Sequence, residues 1–278
     1  MASTVFVSVD LEGITGVVHP VQAVPGERDY PRFRKIMMRE ANAVVDGAFE
    51  AGADSVIVND SHDGMLNLEI EGLDERAQLI SGVNKPLSMM QGISGDVVCA
   101  FFVGYHSMAS GMGVLSHTMT TIVSRAWLNG QPASEAVINA MIAGQFNVPV
   151  ALIAGDQYAV SELKAVCPKV YGVVVKQALD RYAALNRPIV EVERELKRAA
   201  SSAVTNCSKM SPFKPSTPIR LRVEFSQPNI ASKAALMNSV QRVDERTVEI
   251  QGDNGLEVWA AFYSSLSLGS SAKQESYG

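Results

Sequence analysis

Several strongly apolar runs of this chain end abruptly in short polar segments. The first run, Thr4–Val9, is largely apolar and β-branched on both faces, and runs of the same kind begin at residues 55, 97 and 148. Strands that are apolar on both faces are typical of a parallel sheet that helices cover from both sides. We therefore expect an α/β fold with a parallel-rich central sheet and helices on both faces.

A helix is predicted between the first two runs. Asp29 can cap its start, Pro31 suits its first turn, and Gly52 can end it. Strand, helix and strand in this order form a βαβ unit, which implies parallel pairing. The later pattern predicts helices over 134–144, 159–166 and 188–204, a strand near 170–175, a hairpin turn at Asn129-Gly130, and short elements and loops over the glycine-rich residues 63–95.

Three prolines between residues 211 and 218 indicate a linker. Beyond it, strands are predicted over Ile219–Phe225 and Thr247–Ile250, and helices over 229–239 and 254–267. We expect an α/β domain over residues 1–210, a small α+β C-terminal unit over 219–267, and a flexible tail over 268–278.

Composition limits the partners and the cellular location. Charged residues make up 19% of the chain, below the usual share of about a quarter, which predicts extensive burial in a core or in subunit interfaces. The net charge of −5, without a basic run, argues against nucleic acid and anionic membranes. Three widely spaced cysteines without a CxxC pair argue against a disulfide framework or a thiolate zinc site. Because no apolar stretch approaches the ~20 residues of a membrane span, we predict a cytoplasmic protein.

Side chains that can bind metal or reactant follow four of the predicted strands. They are Asp10 and Glu12 after the first, Asn59, Asp60 and His62 after the second, Tyr105 and His106 after the third, and Asp156 after the fourth. In open parallel sheets, ligands bind outside the carboxyl ends of the strands. If these strands are neighbours, the groups converge, and histidine with carboxylate is a normal metal-binding set. Hydrolytic metal chemistry is therefore the leading hypothesis.

Each of these groups also has a structural explanation. Asp10 and Glu12 could form a solvated acidic loop, and Glu135 could be a first-turn residue that the helix dipole favours, which is the stronger interpretation from the residues alone. His62, His106 and His117 could be a turn, a core and a strand residue. Taken together the three favour function, because the chain has only four histidines and these follow strand-like runs. The fourth, His19, is predicted to be exposed and without function.

Other enzyme classes lack their usual signals. The chain has no HExxH, no P-loop, no GxGxxG after the first strand and no GxSxG elbow. These absences argue against a zincin, a nucleotide kinase, a dinucleotide dehydrogenase and a serine hydrolase.

Four motifs that occur in order resemble those of the DppA-type D-aminopeptidases, metallopeptidase family M55. They are Ser8-Val9-Asp10-Leu11-Glu12-Gly13-Ile14, Asn59-Asp60-Ser61-His62, Gly104-Tyr105-His106 and Ser116-His117-Thr118-Met119. The resemblance continues through Lys85-Pro86, Glu135 and the strand that ends at Asp156, so that it covers about residues 5–180.

The resemblance implies an aminopeptidase with two Zn²⁺ ions per chain, held in the 1–210 domain. Asp10 would bridge the ions, Glu12 and His62 would complete one site, His106 and Glu135 the other, and His117 would be the catalytic residue. Such an enzyme hydrolyses N-terminal D-amino acids from short peptides through a metal-bridged water. Family membership also implies ring-shaped homo-oligomers, with a decamer as one candidate size.

The chemistry of these residues agrees with that expectation. Few protein ligands per ion leave positions for water and substrate, and a strand-end carboxylate can be shared by two ions. Asn59 and Asp60 are candidates for orienting the His62 ring through outer hydrogen bonds. Two alternatives stay open: a two-metal hydrolase of another amide or of a phosphoester bond, and a non-catalytic module that binds metal or a small molecule. A phosphoesterase is expected to present Lys or Arg to the phosphate, and the strand-end motifs contain neither.

Overall fold

The structure, a computed structural model, describes residues 3–273. Its strands are β1 (Thr4–Val9), β2 (Ser55–Asp60), β3 (Ala77–Ile80), β4 (Val97–Tyr105), β5 (Val123–Leu128), β6 (Gln131–Pro132), β7 (Val150–Asp156), β8 (Tyr171–Asp180), β9 (Ala183–Asn186), β10 (Ile219–Phe225), β11 (Val240–Arg242) and β12 (Thr247–Gly252). Its α-helices are α1 (Tyr30–Glu50), α2 (Glu135–Gln145), α3 (Gln157–Val166), α4 (Ile189–Asn206), α5 (Pro228–Ala234) and α6 (Gly255–Ser270).

The central sheet has seven strands in the order β3-β2-β1-β4-β7-β8-β9. All neighbours in it pair in parallel except β9, which pairs antiparallel with β8. The predicted α/β class with a parallel-rich sheet is confirmed, because β1 and β2 run parallel with α1 between them in the chain. Consecutive parallel strands need such a crossover, since a tight turn can only join antiparallel ones.

Helices cover both faces of this sheet, as predicted. Val5, Val7 and Val9 of β1 face a core shared with α1 and α4, whereas Phe6 faces a second core shared with α2 and α6. Side chains alternate along a strand, so burial on both faces explains why the first run is apolar throughout. None of the helices within residues 3–273 is both long and apolar enough to cross a bilayer.

A second sheet, antiparallel and five-stranded, has the order β11-β12-β10-β5-β6. The predicted turn at Asn129-Gly130 joins β5 to β6, and both of its residues have a positive φ. Since β5 and β6 precede the proline-rich segment and the other strands follow it, this sheet takes strands from both sides of residues 211–218. The division at that segment into a 1–210 domain and a 219–267 unit stays a prediction.

Several element boundaries differ from those predicted. The helix expected over 229–239 ends at Ala234, because Val240 pairs with Ile250 and begins β11 instead. The strand expected near 170–175 continues to Asp180 and returns as β9. Helix α6 runs to Ser270, so its last turn lies in the segment predicted as a flexible tail, whereas residues 274–278 of that tail lie outside the described residues.

Candidate active site

The side chains predicted to converge lie at the point where the order of the central sheet reverses. The chain steps outward from β1 through β2 to β3 on one side, and from β4 through β7 to β8 on the other. The loops that leave β1 and β4 therefore separate and open a crevice at the carboxyl edge, which is where ligands bind in such sheets. Asp10, His62 and His106 follow β1, β2 and β4 directly and meet at this crevice.

The two carboxylate oxygens of Asp10 face two different histidines. Oδ1 lies 3.2 Å from Nδ1 of His62, and Oδ2 lies 3.5 Å from Nε2 of His106. The side chain is almost fully buried, and the backbone of Asp10 is tied to β4 by its N–H, which donates to the Val103 carbonyl at 2.8 Å. A carboxylate in this position has the geometry of a bridge between two cations.

Glu12 lies on the His62 side of this bridge. Its Oε2 is 2.9 Å from Nδ1 of His62. The same Oε2 is buried and has no hydrogen-bond partner among the described residues. An orphaned buried carboxylate oxygen is costly unless a cation or a donor meets it.

Glu135 lies on the His106 side. Ser134 occupies the position before the first turn of α2, which brings Glu135 to the start of the helix. Its Oε1 is 3.3 Å from Nε2 of His106 and 3.7 Å from Nε2 of His117. The same oxygen accepts a hydrogen bond from the Met119 N–H at 2.5 Å. Glu135 is therefore part of the cluster. Its preference for the first turn of a helix does not explain these contacts with two histidines.

In each of the three histidines at the site, one ring nitrogen forms a hydrogen bond with a backbone carbonyl oxygen. Nε2 of His62 lies 2.7 Å from the Ala23 carbonyl oxygen. Nδ1 of His106 lies 3.0 Å from that of Ser107, and Nδ1 of His117 lies 2.8 Å from that of Leu115. A carbonyl oxygen only accepts, so each of these nitrogens carries the proton and the other nitrogen is left to face the carboxylates. This is the arrangement that outer contacts impose on metal-binding histidines.

Burial and close contact shift the pKa values within the cluster strongly. Burial, and then the nearby charge of Glu12, raise the pKa of Asp10 to about 8. Although burial opposes it, Glu135 raises the pKa of His106 to about 10. Three buried carboxylates, those of Asp10, Glu12 and Glu135, thus depend on positive charge placed among them.

These residues fit a zinc centre. Histidine nitrogen and carboxylate oxygen are normal ligands of zinc, and the buried Oε2 of Glu12 lacks any other partner in residues 3–273. Ligand atoms of Asp10, Glu12 and His106 lie within 4.8 Å of one another, and so do those of His106, His117 and Glu135. His106 belongs to both groups, which places two candidate positions side by side.

His117 is held differently from the other two histidines. Its ring stacks on that of His106, with centroids 4.0 Å apart and planes 13° apart. Burial, and then the adjacent His106, lower the pKa of His117 below its usual 6.5. Its side chain is 19% exposed, compared with 2% for His106. A ring that stays neutral and reaches the cavity is suited to accept a proton.

A cavity of about 590 Å³ opens onto the cluster. Within residues 3–273 none of its lining side chains is Lys or Arg. They include Asp10, Glu12, His62, His117 and Glu135, with Met65, Met89 and Met119 beside them and Tyr263, Leu266, Ser267 and Ser270 of α6 opposite. The helix α6 comes from the predicted C-terminal unit, and no sequence pattern indicated that it forms a wall of the site.

Two residues predicted to orient His62 act otherwise. Asn59 donates to Ser61 Oγ at 3.0 Å and accepts from Lys85 Nζ at 2.8 Å, so it organises the loop after β2. Asp60 accepts from the Asn67 side chain at 2.7 Å, and that side chain donates to the His62 carbonyl at 2.6 Å. Within residues 3–273, neither side chain forms a hydrogen bond with the His62 ring. The contact that orients it is the Ala23 carbonyl, which a sequence motif cannot reveal because every residue carries a carbonyl.

Asp156, predicted to converge with the cluster, supports it instead. Its Oδ1 accepts from the Tyr158 and Ala159 N–H groups at the start of α3, both at 2.9 Å. Its Oδ2 accepts from the Val114 N–H at 2.8 Å. Asp156 therefore fixes the loop that carries His117. His19 is exposed, as predicted, and its Nδ1 accepts from the Val21 N–H at 3.3 Å.

Comparison with known proteins agrees with this geometry. The model of the family Peptidase_M55, described as D-aminopeptidase, matches residues 4–264. A D-aminopeptidase of Bacillus subtilis (strain 168) is 37% identical over 257 residues, which are 92% of this chain and 94% of that protein. The solved structure described as the Zn-dependent D-aminopeptidase DppA from Bacillus subtilis, a self-compartmentalizing protease, superimposes with a TM-score of 0.94 at 36% identity. That match covers 98% of this chain and 99% of the other.

Proposed function

The chain belongs to the M55 family of D-aminopeptidases, and we propose that it removes N-terminal D-residues from short peptides with two zinc ions per chain. It is a hydrolase of the zinc-dependent peptidase class. The observation that carries the proposal is the orientation of the three histidines. Each binds a backbone carbonyl through one nitrogen and turns the other toward a buried carboxylate.

The ligands are assigned from the distances between side chains. Asp10 would be shared by the two positions, since its oxygens face different histidines. Glu12 and His62 would hold one ion, and His106 and Glu135 would hold the other. When bound, the zinc ions supply activation of a water molecule and polarisation of the substrate carbonyl.

His117 is the residue we assign to proton transfer. Its Nε2 reaches the cavity and its pKa is lowered by burial and by His106, so that it is neutral near pH 7. Nε2 takes the proton of the attacking water as the new C–O bond forms. It then delivers that proton to the leaving nitrogen as the peptide C–N bond breaks, which completes the hydrolysis.

The cavity supports a peptide substrate over a phosphoester. A phosphoryl group needs positive side chains around it, whereas no Lys or Arg lines this cavity within the described residues. Its volume of about 590 Å³ suits a short peptide.

We further propose that the chain forms a homo-oligomer, ring-shaped in the arrangement we expect, since the similar solved structure is described as self-compartmentalizing. Cytoplasmic location is proposed as well, on the support that Cys99, Cys167 and Cys207 are all unpaired.

The decisive experiment combines metal analysis with a substrate panel. Zinc per chain is measured in the purified protein, and D-alanyl dipeptides, L-alanyl dipeptides and a phosphoester are assayed in parallel. The proposal expects two zinc ions and turnover of the D-alanyl dipeptides. Efficient turnover of L-alanyl dipeptides alone would contradict the stereochemical part. Turnover of the phosphoester alone would support the other hydrolase, and bound zinc without any product would support a binding module.

A further inference from the structure

A fully buried lysine, Lys176 of β8, lies beneath the loop that carries Glu12. Its Nζ donates to the carbonyl oxygens of Glu12 at 2.6 Å, Ile14 at 2.9 Å and Val17 at 2.6 Å. An ammonium group has three N–H bonds, so these three carbonyls satisfy it completely. Nothing in the proposed reaction uses this residue.

The loop after β1 extends across the sheet, away from β1. Its Gly13 crosses the end of β4, where an added Cβ would lie 2.0 Å from the Tyr105 carbonyl oxygen. Beyond that crossing, the Gly16 N–H donates to the Asn186 side chain of β9 at 2.9 Å. The loop after β1 therefore spans the carboxyl edge of the sheet, and Lys176 is its anchor at the far end.

Two carbonyls of this loop depend on Lys176, whereas its N–H groups have other partners: that of Gly13 donates to the Gly104 carbonyl at 2.7 Å and that of Thr15 to Glu40 Oε1 at 2.9 Å. Within residues 3–273, the carbonyl oxygens of Glu12 and Val17 accept only from Lys176. Asp10, two residues earlier, is held independently, because its N–H donates to the Val103 carbonyl of β4. Loss of the ammonium group would thus remove the partner of the Glu12 carbonyl but leave the Asp10 carboxylate in place.

From these contacts we infer that Lys176 is a positioning residue for zinc: it fixes the backbone of Glu12 so that its carboxylate meets His62 at one of the two metal positions. This inference rests on the proposed function. The second position is formed by His106 and Glu135, and among the described residues Asp10 is the one loop side chain within ion-pair distance of either. Lys176 therefore controls occupancy of one ion and leaves the other intact.

The test replaces Lys176 with methionine, which has a similar length and no donor. Zinc per chain is measured by elemental analysis, and zinc affinity by competition with a chelator, well below the melting temperature. We expect K176M to retain one ion per chain and to bind the second roughly 10- to 100-fold more weakly, as when an outer contact of a ligand is removed.

Leu196→Ala in α4 is the matched control. Leu196 is fully buried in the core beside the same face of the sheet, so its truncation lowers the melting temperature without touching the loop. We expect L196A to keep both ions. Two ions of unchanged affinity in K176M, or an equal loss of both ions in K176M and L196A, would overturn the inference. Absence of zinc from the unmodified protein would instead refute the proposed function.

A second variant keeps the test valid if K176M does not fold. Asn186 is exposed and binds the same loop through Gly16, so N186A preserves the core. We expect zinc to leave the Glu12 position about two- to tenfold faster, the effect of one lost hydrogen bond. The adjacent exposed residue gives the control, Leu185→Ala, which should release zinc at the normal rate. Identical release from N186A and L185A would count against the inference.

Discussion

The imidazole rings of His106 and His117 stack face to face, with their centroids 4.0 Å apart. Nε2 of both rings faces Glu135, at 3.3 Å from His106 and 3.7 Å from His117, but of these two nitrogens that of His106 also lies near Asp10, at 3.5 Å. Two stacked rings cannot both carry a proton at low cost, since like charges at this distance repel. This repulsion agrees with our proposal, in which His106 binds metal and His117 transfers the proton.

Replacement of His117 by alanine should abolish turnover and leave zinc bound. Loss of general acid–base catalysis lowers kcat by roughly 10²- to 10⁴-fold. The same loss is expected for His117→Gln, which is polar but cannot carry the proton. Elemental analysis of both variants checks the metal. Because His117 lies within the group that includes His106 and Glu135, disappearance of one zinc ion would show that it is a ligand.

The rate should fall in acid with a midpoint below pH 6.5. The pKa of His117 is lowered from 6.5, first by burial and then by His106. A base with a lowered pKa stays unprotonated until the pH drops past that lower value, so activity persists to more acidic pH than a free histidine would permit. A pH profile of kcat checks this, with zinc content measured at each pH. A midpoint above 6.5 at constant zinc content would be the contrary result.

Zinc binding near pH 7 should release protons. Without metal, burial and Glu12 raise the pKa of Asp10 to about 8, and the pKa of His106 rises to about 10 because Glu135 outweighs burial. Both groups are therefore protonated at pH 7 and must lose their protons to become ligands. Affinity should increase with pH from 6, most steeply up to about 8 (the pKa of Asp10) and less steeply from there to about 10 (the pKa of His106). Calorimetric titration of the metal-free protein in buffers of different ionisation enthalpy counts the protons, and a count of zero would contradict the assignment.

Asp10 and His62 should differ in how many ions they control. Asp10→Ala removes the carboxylate shared by both positions, so both ions should be lost. His62→Ala removes a ligand of one position only, because His62 faces Asp10 and Glu12 but lies outside the His106 and Glu135 pair. Zinc per chain is expected to be zero and one, respectively. Equal loss in the two variants would argue against a bridging role for Asp10.

Gly13→Ala should weaken both folding and metal binding. An added Cβ would lie 2.0 Å from the Tyr105 carbonyl oxygen, a contact that backbone must relieve by moving. We expect a loss of about 1–3 kcal/mol in the free energy of unfolding, as for other overpacked sites, with weaker zinc binding at the Glu12 position. Gly64→Ala is the control, because nothing lies within 4 Å of its added Cβ. Urea denaturation compares the two, and equal stability would contradict the close contact.

The sequence predicted the parts of the fold that local pattern determines. Thr4–Val9 is buried on both faces and is confirmed as a central strand. A strand with apolar residues on both faces is stable only where both faces are covered, which is the interior of the sheet. The strands β9 and β11 escaped prediction because they are short and largely exposed, and only pairing with a neighbouring strand fixes them.

At the site, convergence of Asp10, His62 and His106 followed from their place after parallel strands. Their roles as ligands, with those of Glu12, Glu135 and His117, stay predictions. Contacts made by backbone atoms, such as that of the Ala23 carbonyl with His62, cannot be predicted from residue types because every residue has a carbonyl. Lys176 escaped notice for a related reason: a single lysine inside a strand normally points to solvent, and only the position of a distant loop explains its burial.

Helix α6 gives the cavity one wall, although every proposed ligand lies before residue 136. Tyr263, Leu266, Ser267 and Ser270 line the space that a substrate would enter, and within residues 3–273 their side chains form no hydrogen bond with the proposed ligands. Substitutions on this helix can therefore alter which peptides the enzyme accepts while its chemistry stays the same. This wall and the proposed ligands are encoded in separate stretches of the chain, so selection can act on the wall without disturbing the ligands.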